Sequence, residues 1–221
     1  YRGVPLTSIV STLHYSNHVL QLDPFQFSRP EGTVAGSLHL DLETELYGVN
    51  LDGRMDPHAV AGIVGPHLAA VLAPTHYEQV PELAAHGVVD GGDSQDRTDL
   101  KVSVRGQRLG VTNWLADTVQ LDLDARGGHY ITTNASGTAF GGTFRASVHV
   151  TPDESGHDHT VRVLASITNA EMTRLIAQVR TNELAAGKNG KTALTVDITA
   201  PVHDPGWLLL SGTGSAHVAS G

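Results

Sequence analysis

The chain contains no cysteine. Disulfides, thiolate metal sites and cysteine nucleophiles are excluded together, while the redox compartment stays open, because an oxidising space permits disulfides without requiring them. Lysine is almost absent. Lys101, Lys188 and Lys191 are the whole set, and no basic patch surrounds them. A formal net charge of -9 disfavours nucleic acid, whose phosphates need clustered Lys and Arg, and also an anionic membrane surface. Charged residues of both signs reach only 17% and apolar ones 40%, which suits short apolar stripes better than a thick core. Long apolar runs are missing too. The longest, Val60 to Leu72, is broken by Pro66 and His67 and is too short to span a bilayer. No charged leader or long apolar leader follows Tyr1, so the chain reads as a soluble piece of a longer protein, without a signal peptide.

Several catalytic patterns are absent as well. No His-Glu-x-x-His occurs. The glycine-flanked Ser136-Gly137 and Gly212-Thr213-Gly214-Ser215 lack the Gly-x-Ser-x-Gly strand-to-helix context of a nucleophile elbow. Asp90, Asp93, Asp96 and Asp99 recur at three-residue steps, not at the alternate spacing of a calcium-binding loop with its terminal Glu, and read as a solvated acidic loop. Thirteen histidines are present. The densest group, His157-Asp158-His159, lies in a Pro/Asp/Glu/Ser/Gly-rich hairpin tip with no third zinc ligand in step. His14 and His18 flank a turn, and His58, His67, His76 and His86 scatter around the first expected helix. The expectation is no catalytic residue, no cofactor and no stoichiometric Zn²⁺ or Ca²⁺.

What the chain has is alternation. Leu38-His39-Leu40-Asp41-Leu42, Lys101 to Arg105, Val119 to Leu123, Ser147 to Val150, Val161-Arg162-Val163 and Leu194 to Ile198 all place apolar residues at every second position. That pattern predicts antiparallel strands with one apolar and one wet face. Arg126-Gly127-Gly128, Pro152 to Gly156 and Gly187 to Gly190 supply turn chemistry between them. Two amphipathic helices interrupt. Asp56 caps and Pro57 starts the first, whose stripe Val60, Ile63, Val64, Leu68, Val71 and Leu72 is broken at Gly65-Pro66. Asn169 caps the second, with Met172, Leu175, Ile176 and Val179 as its stripe. A short third helix is expected over Asp204 to Leu210, and Ala73 to Gly92 reads as an irregular linker.

The segment from Gly32 is echoed about a hundred residues later. Gly32-Thr33-Val34-Ala35-Gly36-Ser37-Leu38 aligns with Gly137-Thr138-Ala139-Phe140-Gly141-Gly142-Thr143, and each copy continues through two alternating runs to a helix cap. The expected fold is therefore α+β, mainly β: a curved antiparallel sheet of two related strand–strand–helix–strand units with short amphipathic helices. Residues 1–92 form the first unit, with a helix near 56–72, and residues 93–221 the second, with a helix near 169–180.

The order of these pieces resembles the C-terminal region of AsmA-like proteins, a family related to TamB. The residues that carry it are Gly128-His129-Tyr130, then Gly137 to Phe144, then Ile167-Thr168-Asn169-Ala170-Glu171-Met172 opening a helix, Lys191 to Val196 as the return strand, and Leu210 to Val218 at the end. The resemblance covers Leu100 to Gly221 well, and Tyr1 to Gly91 through the internal repeat. The membrane helix typical of the family's N-terminus is not in these residues, so membrane anchoring, if there is any, would come from other sequence. The resemblance implies a non-enzymatic, periplasmic β-groove in an inner-membrane-anchored protein, engaged in phospholipid transport or outer-membrane biogenesis, with phospholipid as ligand and other envelope proteins as further partners. The groove residues would be Leu38, Leu40, Leu42, Leu121, Leu123, Val148, Val150, Val161, Val163, Leu194, Val196 and Ile198. The same positions also fit the core of a β-rich scaffold that binds no lipid, and a metal-dependent hydrolase is a third, weaker reading.

Overall fold

The computed structural model describes residues 7–58, 73, 75–91, 96–111, 114–152, 159–179, 190–202 and 213–220. A meander begins with β1 (Ser8–Ser16), β2 (Val19–Arg29), β3 (Gly32–Asp41) and β4 (Leu46–Arg54). After the short β5 (Thr75–Tyr77) it resumes with β6 (Glu82–Asp90), β7 (Asp99–Val111), β8 (Trp114–Arg126), β9 (His129–Ala139), β10 (Gly142–Pro152) and β11 (His159–Glu171), then β12 (Lys191–Val202) and β13 (Thr213–Ser220). Twelve of the thirteen strands lie side by side in chain order, each antiparallel to the next, in a sheet left open at β1 and β13. β5 stands off this path and pairs the far end of β7, Leu109 to Val111, while β6 pairs Asp99 to Arg105. The boundary expected at 92/93 falls in the β6–β7 connection of this one sheet.

The mainly-β antiparallel character and the alternating runs agree with the sequence, with β3, β7, β8, β10, β11 and β12 where period two places them. Three other expectations change. First, the described residues contain one complete helix, α1 (Met172–Val179), so the pair of strand–strand–helix–strand repeats is not shown. Gly32 opens β3 after a hairpin turn, whereas Gly137 lies inside β9, and the residue that opens the equivalent strand β10 is Gly142. Second, Asn169 is not a helix cap. It sits in β11 with φ 58, in the left-handed region that asparagine tolerates better than most residues. Third, the expected linker Ala73 to Gly92 holds β5 and β6. The Asp56 cap does form: its Oδ1 accepts the His58 backbone N–H at 2.8 Å, the N-cap to N2 bond. The helix expected from there falls mostly on residues 59–72, and that at Asp204 to Leu210 falls wholly among residues outside the described ones. No helix among the described residues is long and apolar enough to cross a membrane.

Hairpin turns tighten the meander. Asn17-His18, Gly127-Gly128 and Phe140-Gly141 each have positive φ at both positions, the type I′ geometry whose twist matches that of paired strands. Three strands carry an extra residue: β11 near its end, between Ile167 and Ala170 where it faces β12, and β2 and β9 within the sheet. In β2, Leu22 and Phe25 face β1 residues Leu13 and Ser11 on one side and β3 residues Leu38 and Gly36 on the other. In β9, the neighbours β8 and β10 likewise skip a residue between Thr132 and Ala135. Because both neighbours skip the same place, the strands on either side stay in step with each other.

Gly87 shows how closely the strands approach. With φ 140, a Cβ there would sit 2.1 Å from the Asp99 carbonyl oxygen of β7. Gly87→Ala is expected to cost about 1–3 kcal/mol in urea unfolding, through backbone strain. At Gly190 an added Cβ meets nothing within 4 Å, so Gly190→Ala should stay within about 0.5 kcal/mol of the parent.

Candidate functional site

Residues opposite one another on antiparallel strands share a face, so the pairing register assigns each side chain to one side of the sheet. One row runs Ile9, Phe27, Val34, Gly53, Leu83, Val104, Leu121, Ala135, Ala146, Ala165 and Val196. It takes one residue from each strand from β1 to β12, β5 excepted, and contains no polar side chain. Four residues along, a second row runs Leu13, Leu22, Leu38, Val49, Gly87, Leu100, Ala125, Tyr130, Val150 and Val161. Between them lie Phe25, Gly36, Leu51, Ala85, Val102, Leu123 and Thr132, continued by Val148, Val163 and Ile198. The polar intruder Thr132 sits at the β9 irregularity. Its Oγ1 accepts the Val148 backbone N–H at 2.6 Å, so its polarity is spent inside the sheet. At about 4.8 Å per strand, such a row is about 50 Å long.

Eleven of the twelve groove candidates belong to this face. Leu38, Leu121, Leu123, Val148, Val150, Val161, Val163, Val196 and Ile198 lie in the three rows above. Leu40 joins Leu20, Tyr47 and Val89 at one end of the strands. Leu194 joins Ile167, Phe144, Gly137 and Val119 at the other. Leu42 is the exception: it lies past the end of β3 in the β3–β4 turn and is 52% exposed. Most of the rest are half-buried, while Val161 is 3% exposed and packs on Val148, Val150 and Val163. Tyr130, in the second row, has its phenol pKa raised by burial. The alternating runs located most of these residues. Val34, Leu51, Leu83 and Leu100 were missed, although they occupy the same rows.

One end of the face is covered. Leu175 of α1 is buried with Ala139, Phe140, Ile167 and Ala170, and Phe144 and Leu194 pack against the group. Phe140 takes the left-handed φ of 54 in its turn, a conformation that costs a non-glycine residue about 1–2 kcal/mol. Its burial and an edge-on contact with Trp114 at 5.4 Å offset that.

The opposite face is polar. His39, Asp52, Arg54, Glu82, His86, Lys101, Arg105, Asp122, Asp124, Arg145, His149, Arg162 and Asp197 alternate with the apolar rows. Arg162 Nη2 meets Asp197 Oδ2 at 3.1 Å, Arg126 Nε meets Asp99 at 3.1 Å, and Arg54 pairs with Glu82. His86 Nδ1 lies 2.6 Å from Asn50 Oδ1, and its Nε2 lies 3.3 Å from Asp52. Two shallow depressions, of about 440 and 410 Å³, are lined largely from this side, by Arg54, Glu82, Arg105 and Gln120 and by His86, Lys101, Asp122 and Asp124.

The acidic series departs from a solvated loop. Asp90 is 4% exposed and is held by Arg97, whose Nε and Nη2 reach its two carboxylate oxygens at 2.9 and 2.8 Å. The same Nη2 donates to the Thr44 carbonyl at 2.9 Å, tying the β3–β4 turn to the β6–β7 turn. Asp93, His157 and Asp158 lie outside the described residues. Near the start of the first expected helix, His58 stacks on Tyr77 at 5.7 Å. Burial, then a hydrogen bond to Asp56, raises the Tyr77 phenol pKa. Among the described residues no three His, Asp or Glu side chains could hold a metal ion.

Compared with known proteins, the chain matches no family model, no curated protein and no solved structure.

Two predictions test this description. Leu175→Ala should destabilise the protein by about 2–5 kcal/mol in urea unfolding, as loss of a buried leucine does. The Arg108 and Arg54 guanidinium groups, by hydrogen bonding, hold Glu78 and Glu82 below the usual carboxylate range. The stability these two groups supply is present above the ordinary carboxylate pKa and is lost as pH falls through the lowered values. Glu78→Gln with Glu82→Gln should therefore flatten the acid limb of melting temperature against pH.

Proposed function

We propose that the apolar face is a lipid-bearing surface. On this reading the chain is a non-enzymatic, periplasmic β-groove segment of an AsmA-like, TamB-related protein, anchored in the inner membrane through other sequence. It takes part in phospholipid transport or outer-membrane biogenesis, with phospholipid as ligand and other envelope proteins as partners. The observation that carries the reading is the apolar row crossing eleven strands without a polar side chain. A contiguous apolar surface of that extent is what monomeric proteins avoid unless something occupies it. Sheltering an acyl chain there gains about 0.8 kcal/mol per CH₂. The form suits a diffuse apolar ligand better than a substrate held by converging polar groups.

A β-rich scaffold without lipid is the second reading. It is favoured by the deep burial of Phe27, Ala125 and Val161 on the same face and by the lining of both depressions largely from the polar side.

Val150→Asp and Leu38→Asp separate the two. Both positions are half-buried in the second row. On an occupied open face the charge stays hydrated without the ligand, so the variants should fold and carry less co-purified phospholipid in native mass spectrometry than the parent. In a sealed core an unpaired carboxylate costs several kcal/mol and the melting transition is lost. A parent protein free of lipid, together with unfolded variants, would establish the scaffold instead.

A further inference from the structure

The edge strand β1 lacks the devices by which sheets protect their edges. Such edges are usually short, bulged, or marked with lysine, proline or inward charge. β1 runs for nine residues, with eight of the nine exposed, and Ser8-Ile9-Val10-Ser11-Thr12-Leu13-His14-Tyr15-Ser16 contains no Lys, Arg, Asp, Glu or Pro. Ile9, Val10, Leu13 and Tyr15 are 56%, 59%, 60% and 60% exposed. The irregularity between β1 and β2 places its extra residue in β2, leaving the alternation of β1 unbroken.

The strand is also close to self-complementary. If a second β1 runs antiparallel to it about Thr12, Ser8 faces Ser16, Ile9 faces Tyr15, Val10 faces His14, Ser11 faces Leu13, and Thr12 faces its own copy. Ile9, Leu13 and Tyr15 pair with apolar-row residues Phe27, Leu22 and Leu20 of β2, so their contacts fall on the apolar side. No like charges confront each other, and an aromatic–β-branched pair of the Ile–Tyr kind is among the favourable cross-strand contacts.

We infer that β1 is a self-pairing edge and that its occupant is the β1 of a second copy of this chain. The two-fold axis then stands perpendicular to the sheet, passing beside Thr12. This isologous contact closes on itself as a dimer and does not grow into a filament. Backbone hydrogen bonds supply the attraction and the side chains set the register. Both apolar faces fall on the same side, so the rows continue from one copy into the other. The inference depends on the β1 edge alone and stands whether or not the face carries lipid.

The whole chain is measured by sedimentation equilibrium over rising concentration, since nine-residue edges bury little area. Three results are expected. The parent shows a reversible monomer–dimer equilibrium. Thr12→Lys, which sets two ammonium groups opposite each other at an exposed position, remains monomeric at the same concentrations with an unchanged circular dichroism spectrum. Thr12→Cys, the sole thiol in a cysteine-free chain, forms a covalent dimer under mild oxidation. A parent that stays monomeric throughout would overturn the inference. So would a dimer indifferent to Thr12→Lys, which would place the contact elsewhere, the apolar face included. Crosslinking of Thr12→Cys only when mixed with Ala216→Cys would show β1 meeting β13 head to tail, again against the proposal. If Thr12→Lys lost its fold, the crosslinking result alone would decide.

Discussion

Keeping the two-residue period of the side chains in step from strand to strand is the constraint on which this molecule rests. A strand that slipped by one residue would turn its apolar set to water and its charges to the opposite side. In β3, Leu38 and Leu40 would exchange places with His39 and Asp41. The irregularities in β2 and β9 are harmless because each is confined to one strand and skipped by both neighbours. Phase reverses within β2, from Leu20 and Leu22 to Phe25 and Phe27, yet β1 and β3 never lose register with each other. The three type I′ turns serve the same end, since two-residue loops leave no slack for a shifted pairing.

The polar face follows from that constraint. Once Leu, Val, Ala and Gly fill one set of alternate positions, the other set is free to hold charge, and much of the chain's acidity resides there. Exposed pairs such as Arg162–Asp197 and Arg126–Asp99 contribute little individually. Their cross-strand placement still favours the correct register over a slipped one, in which like charges would meet. Arg97 with the buried Asp90 does something different by holding two turns together at one end of the strands.

Strands with bulky apolar residues separated by polar ones were legible in the sequence, as Leu121-Asp122-Leu123 and Val161-Arg162-Val163 illustrate. β6 was not. Its two faces hold Leu83, Ala85, Gly87 and Val89 against Ala84, His86 and Val88, so small and apolar residues occupy both and the period is faint. β2 was obscured by its phase reversal at Asp23-Pro24. Asn169 misled because the same short amide that caps a helix also settles in the left-handed region. The burial of Asp90 depended on Arg97 returning across a turn, which spacing does not reveal. For the candidate site, the sequence located residues on each stripe, but their alignment into lateral rows is a property of pairing and became visible only with the register. The depressions on the polar side had no signature in the sequence.

Along the main path each strand pairs only with its neighbours in the chain, as a sheet of consecutive hairpins requires. Contacts therefore run between strands that follow one another along this path, and the longest loops to be closed are those joining β4 to β6 and β11 to β12. Such a sheet can assemble from either end, or from the middle, by adding one strand to an edge already formed, with stability accumulating nearest neighbour by nearest neighbour as in a linear array. Length then becomes an adjustable quantity. Inserting a whole hairpin displaces no residue from its face and leaves both edges running in their former directions, whereas inserting one strand reverses an edge.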